Sequence, residues 1–328
     1  MKKIINRSTD VVTQLLNGIN FAYADILERV PKTGIILSKV QPQAVAVISG
    51  GGTGHEPAHS GYVGENMLAA SINGPIFIPP TVAEIVQTIQ LVDKGQGVLL
   101  IVKNFEADVT NFLAAEKLAQ GAGHQVAHII VNDDCSIDKE TFKKRRRGVA
   151  GTVFVHKILS GAAAAGQTLK ELTLLGEQVV MSLNTLGLAV APGTLPGESA
   201  PQFQLGESEI SFGIGIHGEA GYREEPISHS EKLANELINK LKSQYQLKPG
   251  SQLALLINGL GGTTALELMI FANDVRRLLE LDGIDVQFKK VGNFMTSLNM
   301  AGVSLTFLEI KDPQWLTYLQ LPVSAYGW

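Results

Sequence analysis

The chain has 328 residues, 45% of them hydrophobic and 18% charged, and 27 Lys and Arg against 31 Asp and Glu give a formal charge of −4. This balance excludes a nucleic-acid binder that works by electrostatics. The single cysteine, Cys135, excludes an internal disulfide framework, and no apolar run approaches the roughly 18 residues of a membrane helix.

The length predicts two domains, and the basic start MKKIINRSTD, which has no apolar signal region behind it, predicts a cytoplasmic protein. Residues 44–48 read as the first core strand. Apolar residues at helical spacing follow over 82–92, then a strand at 97–102 (GVLLIV). Asp108 is placed to cap a helix running to Leu118, and a third strand follows at 126–131, with Asp133 and Asp134 just past its carboxyl end. Helices are expected over 152–165 and 169–186, before a Pro/Gly-rich linker at 191–201 (APGTLPGESAP). Beyond it come strands at 209–216, 252–257, 284–291 and 303–310, with helices at 230–245 and 263–281. The expected fold is therefore α/β. A mainly parallel sheet is expected in a domain over 1–188 and a mixed sheet in a domain over 189–328, whose C-terminal tail is free to return to the first.

Ligands of open α/β sheets gather beyond the carboxyl ends of the strands. There the chain places SGGGTGHEP (49–57), KNFEAD (103–108) and NDD (132–134). The glycines allow bare backbone to approach a small polar ligand, although a tight turn would use them equally. With His55 and Glu56 where a P-loop needs Lys and Ser or Thr, this is no Walker A motif. His55, Glu56 and His59 also spell H-E-x-x-H, yet Pro57 between the histidines argues against a shared helical face, so no metal site is expected. His217 sits between Gly215 and Gly218 in EISFGIGIHGEAGY (209–222), open to a ligand, and a neutral imidazole there could add to a small ketone as a hemiaminal. Glu219 either orients that ring or is a solvated turn acid. Lys103 and Asp108 bracket a turn at a spacing that lets both face one pocket, and Asp108 with His55 would serve if a hydroxyl had to be deprotonated. Lys143–Arg147 (KKRRR) reads as a solvated basic face. GLGGTT (259–264) reads as either an anion site at a helix start or close strand-to-helix packing.

Together these motifs resemble the dihydroxyacetone kinase K-subunit (DhaK) family, the dihydroxyacetone-binding subunits of phosphotransferase-dependent kinases. SGGGTGHEP with AHSGYVG behind it, VKNFEAD, the RRG at 146–148 and FGIGIHGEAG occur in that family's order over essentially the whole chain. The resemblance implies a homodimer in which the residue matching His217 bonds covalently to dihydroxyacetone. Positions matching Gly51, Gly52, His55, Lys103 and Asp108 surround the ligand, and His55 and Asp108 serve phosphoryl transfer where the protein is kinase-active. The nucleotide belongs to a separate subunit, so no cofactor of its own is expected.

The departures are local. KNYTGD of the kinases becomes KNFEAD, so Glu106 adds a negative charge where phosphates would arrive and Ala107 replaces a glycine. FTSPTP becomes FIPPTV (77–82), DDDVAV becomes NDDCSI (132–137), and Arg145 replaces a glycine. This combination resembles the family's non-kinase coactivator paralogue. That paralogue binds dihydroxyacetone and partners a transcription activator of the kinase operon, without touching nucleic acid or membrane itself. The alternative is the kinase's own binding subunit, partnered by an ATP- or ADP-bearing L-subunit.

Overall fold

The computed structural model describes residues 2–137 and 146–328, so Lys143, Lys144 and Arg145 of the basic run lie outside the described residues. The described residues form two compact units that interleave along the chain: Lys2–Val131 with Thr152–Met181 and Thr317–Trp328, and Asn132–Gly151 with Ser182–Leu316.

The first unit contains α1 (Val11–Ala22), β1 (Leu27–Arg29), β2 (Ile35–Ser38), β3 (Ala46–Thr53), β4 (Ala70–Ile76), α2 (Val82–Val92), β5 (Val98–Lys103), α3 (Glu106–Gly121), β6 (Val126–Val131), α4 (Thr152–Ala164) and α5 (Leu169–Met181). Its six-stranded sheet runs β1-β2-β4-β3-β5-β6, parallel from β4 to β6 and antiparallel at the β1-β2 edge. Helices cover both faces of the parallel part, so its strands are continuous apolar runs; every residue of β5 is buried. The core joins Ile48, Ile72, Leu100 and Val102 to Ile85 and Ile89 of α2 and Phe112 of α3.

The second unit contains β7 (Leu183–Ala191), β8 (Glu209–Phe212), β9 (Arg223–Pro226), α6 (Ser230–Lys242), β10 (Gln252–Gly259), α7 (Ala265–Leu281), β11 (Asp285–Gly292) and β12 (Ala301–Glu309); the short α8 (Gln314–Gln320) lies at the unit boundary. The sheet order is β11-β10-β12-β7-β8-β9, with only the β10–β11 pairing parallel. The fold class is the expected one: α/β, with a sheet mainly parallel in the first unit and mixed in the second.

Four local expectations need correction. The strand expected to end at 48 continues to Thr53, so Gly50, Gly51 and Gly52 lie inside β3, paired with Ile72, Asn73 and Gly74 of β4. A Cβ on Gly50 would collide with Ile72 O, and one on Gly52 would stand 2.6 Å from Phe77 backbone, so only bare residues fit this crossing. The helix expected over 169–186 stops at Met181, and 183–191 forms β7 between β12 and β8. A strand buried on both faces does not alternate, so its apolar run passes for a helix continuation. A division at 188/189 would therefore cut an unbroken strand. The 191–201 stretch is not a linker between units: it lies within the second, where Gln202 N donates to Gly193 O (2.9 Å). Finally, Phe105 and not Asp108 occupies the N-cap of α3; Asp108 is in the first turn and buried.

Candidate functional site

In the second unit, β8 ends at Phe212 and returns as β9 through a tight turn of residues 213–222. Tyr222 N donates to Phe212 O (2.8 Å), Gly215 N to Glu219 O (3.0 Å) and Gly218 N to Gly215 O (3.1 Å). Gly213 and Gly218 adopt φ of 76° and 85°, where a side chain would be strained. Gly215 is needed for a different reason, because a Cβ there would collide with Glu219 Oε2 and Arg147 Nη1.

His217 thus stands on the turn itself and not at the end of the strand expected over 209–216, which stops at Phe212; its side chain is 20% exposed. Glu219 grips it twice: Oε1 lies 3.0 Å from Nδ1, and Oε2 accepts from the His217 backbone N–H at 2.9 Å. Burial pushes the Glu219 carboxyl up, but the hydrogen bond from the ring and the charges of His217 and Arg147 outweigh it and hold the group at about 2. An ionised carboxylate can only accept, so the hydrogen between the two groups is carried by Nδ1.

Behind Glu219 stands Arg147, 3.9 Å away. Its guanidinium bonds Asp134 (2.6 Å), Ser136 Oγ (3.0 Å) and Gly213 O (2.8 Å). Arg146 donates to Asn184 Oδ1 (2.8 Å) and to Gln244. The described end of the basic run is therefore a set of structural contacts, which corrects its reading as a solvated face. Asp133 is fully buried and accepts from Val149 N and Gly151 N, each at 2.8 Å; burial raises its carboxyl to about 6.

The first unit gathers a second set of groups. A Cβ on Gly51 would collide with Lys103 Nζ and stand 3.2 Å from Asp108 Oδ1, so ammonium and carboxylate converge on the space that this glycine leaves open. Burial lowers the Lys103 ammonium's pKa, and Asp108 partly restores it. His55 is buried, and its ring stacks on Phe77 with centroids 5.0 Å apart. His59 is not aligned with it on a helix: its Nε2 lies 2.9 Å from Lys103 Nζ and its Nδ1 3.0 Å from His156 Nε2. Those partners replace the metal-protease geometry that H-E-x-x-H could have meant.

Around the cradle, Asn111 Nδ2 donates to Pro80 O at 2.8 Å and ties α3 to the 77–81 loop. Glu106 is exposed on the first, Ile78 on the second. The GLGGTT segment resolves to close packing: Thr264 caps α7 in a box with Glu267, and a Cβ on Gly262 would lie 2.6 Å from Asn299 O.

The Dak1 domain matches residues 17–327. The chain belongs to the Dak1 family. Among its members, the DhaKLM operon coactivator DhaQ of Lactococcus lactis is 47% identical over 99% of this chain and all of that one. The dihydroxyacetone-binding subunit DhaK of PTS-dependent dihydroxyacetone kinase 1 from Listeria innocua is 46% identical over the full length of both. A solved Dak1 structure, the dihydroxyacetone kinase operon co-activator Dha-DhaQ, superposes with a TM-score of 0.93 at 48% identity over 96% of this chain and 97% of that one.

The structure brings Gly51, Lys103 and Asp108 together in the first unit and sets His217 on the turn of the second; sequence reasoning did not single out Arg147 or His156. Arg147 was hidden in a basic run whose net charge suggested solvent. His156 lies in the middle of α4, where a lone histidine carries no motif; its partner is 97 residues away.

Proposed function

We propose that this protein binds dihydroxyacetone covalently through His217 and acts as a coactivator, partnering a transcription activator of the dihydroxyacetone kinase operon. Gly51, Gly52, His55, Lys103 and Asp108 are read as further binding residues. The protein is read as a cytoplasmic homodimer without a cofactor of its own.

The observation that carries the covalent step is the Glu219 clamp, since a histidine held as the Nδ1–H tautomer presents a nucleophilic Nε2. The Nε2 lone pair forms a bond to the carbonyl carbon while the C=O π pair moves onto oxygen. That oxygen takes one proton from solvent, and the resulting imidazolium keeps its Nδ1–H against the Glu219 carboxylate. A polyol has no carbonyl and cannot react this way, so the chemistry selects a ketone.

Overall identity does not choose between the two kinds of relative, at 47% and 46%. Coactivation is supported by Glu106 and Ile78, which bring negative charge and apolar surface to a face that an ATP-bearing partner would need neutral or basic. As a sensor, the protein must bind ligand better in the conformation that docks the activator, because equal affinity for both conformations would shift nothing. The intact Lys103–Asp108 pair at Gly51 favours the second reading, a kinase binding subunit.

Intact-mass spectrometry of the protein with dihydroxyacetone should show a gain equal to the whole ligand, without loss of water, and His217→Ala should abolish it. Loss of water would mean a lysine Schiff base instead. Mixing with a competent ATP-bearing subunit separates the readings: the coactivator gives no phosphoryl transfer, whereas rapid transfer lost in Asp108→Ala establishes the kinase subunit.

A further inference from the structure

Lys103, His59 and His156 form one hydrogen-bonded row in the first unit, none of them more than 1% exposed. It starts at the space over Gly51 and ends at His156 Nδ1, which has no hydrogen-bond partner among the described residues. We propose that His59, backed by His156, is a positioning residue that aims the Lys103 ammonium into the cradle over Gly51, so that the lysine meets a ligand oxygen with its N–H bonds already directed. This deepens the reading of Lys103 as a ligand-binding residue and rests on it.

A lysine stem carries about 2 kcal/mol of rotamer entropy, so an unheld ammonium points nowhere in particular. Buried, it also needs acceptors. Asp108 supplies a negative charge, but a second carboxylate would compensate the ammonium and weaken its pull on a ligand. A neutral imidazole fixes direction and leaves the charge in place. To accept from Lys103, His59 must be unprotonated at Nε2 and carry its hydrogen on Nδ1, and the lone pair that receives that hydrogen is His156 Nε2.

Both rings are kept neutral. Burial, the Lys103 ammonium, His156 and His55 hold His59 well below its ordinary pKa, and burial with Lys103 holds His156 at about 3. Because the row ends in a buried ring, a proton has nowhere to leave, which makes this a scaffold for direction and not a conduit. It also joins three elements: the loop after β3, the end of β5 and the middle of α4. Tyr62 packs against the far ring, with centroids 5.8 Å apart.

The test uses the intact protein. His59→Leu should weaken dihydroxyacetone binding by roughly tenfold or more, the loss that follows when a hydrogen bond from a charged group is left unmade. His59→Gln, whose amide can accept from Lys103 on one side and donate to His156 on the other, should stay within about threefold of wild type. In the wild type, long-range 1H–15N NMR should show both rings neutral at pH 7 with hydrogen on Nδ1, which requires no variant to fold. A cationic ring, or a proton on His59 Nε2, overturns the proposal. So does a folded His59→Leu that binds as wild type while Lys103→Met loses binding. If Lys103→Met itself binds normally, the ligand role of the lysine falls, and the ring tautomers still report whether the row exists.

Discussion

Glu219 reaches His217 with both carboxylate oxygens, and Arg147, itself anchored on Asp134, stands behind it. Glu219→Gln keeps an acceptor for Nδ1–H but loses the charge. A hydrogen bond to a charged group is worth about 1.5–3 kcal/mol, so calorimetry should find dihydroxyacetone affinity about tenfold or more lower. Because the Glu219 pKa is depressed in the folded state, its stabilisation is present above the unfolded carboxyl value and is lost only as pH falls toward 2. His59 and His156 act in a higher range. Their folded pKa values lie below the ordinary 6.5, so below pH 6.5 the unfolded chain binds the extra protons. The stability they permit is complete above 6.5 and declines as pH falls toward 3. Urea midpoints should drop between pH 7 and 5, with a shallower slope in His156→Phe.

At the scale of elements, the glycines of β3 are the sharpest case of a motif noticed in the sequence and placed wrongly. SGGGTG looked like a turn, because glycine is poor in a strand on its own account. Pairing with β4 carries the strand through it after the β5 pairing stops at Ser49, and the missing side chains admit the 77–78 backbone and the Lys103 ammonium. Gly52→Ala should therefore cost about 1–3 kcal/mol in denaturant unfolding, since its Cβ meets backbone at 2.6 Å. Gly121→Ala, at the end of α3 with nothing within 4 Å, should be neutral or stabilising by up to about 1 kcal/mol. Periodicity located α2 and β6 at their observed bounds, and α4 to within a residue, because each presents a clear apolar pattern. It failed at β7, which is buried in mid-sheet. It did not reach β4, whose ASINGPI owes its place to β2 and β3 on either side.

Across the molecule, chain order and spatial order part company. The last residues belong to the first unit: Gly327 N donates to Gly61 O (2.8 Å), Ser324 Oγ accepts from Glu65 N (2.8 Å), and Tyr326 stacks on Tyr23 with centroids 3.9 Å apart. These contacts clasp the 57–66 segment that carries His59. Deleting residues 322–328 removes several hydrogen bonds worth about 1 kcal/mol each and should lower the melting temperature by at least about 4 °C in calorimetry. Among the described residues no helix is long and apolar enough to cross a membrane.

The order of motifs along the chain, the alternation of apolar runs and the residue types at 51, 103, 108 and 217 determined the α/β class, the family resemblance and which side chains could meet a small ketone. Tertiary structure decided the rest: that Glu219 meets Nδ1 of His217, that Arg147 turns inward, and that His59 answers to Lys103 and His156. Glu219 is only two residues from His217, but Arg147 and His59 depend on partners far along the chain, 44 and 97 residues away for His59 alone. The protonation and direction of a buried polar group are set by whichever partner the fold brings to it, and local sequence does not record that distance.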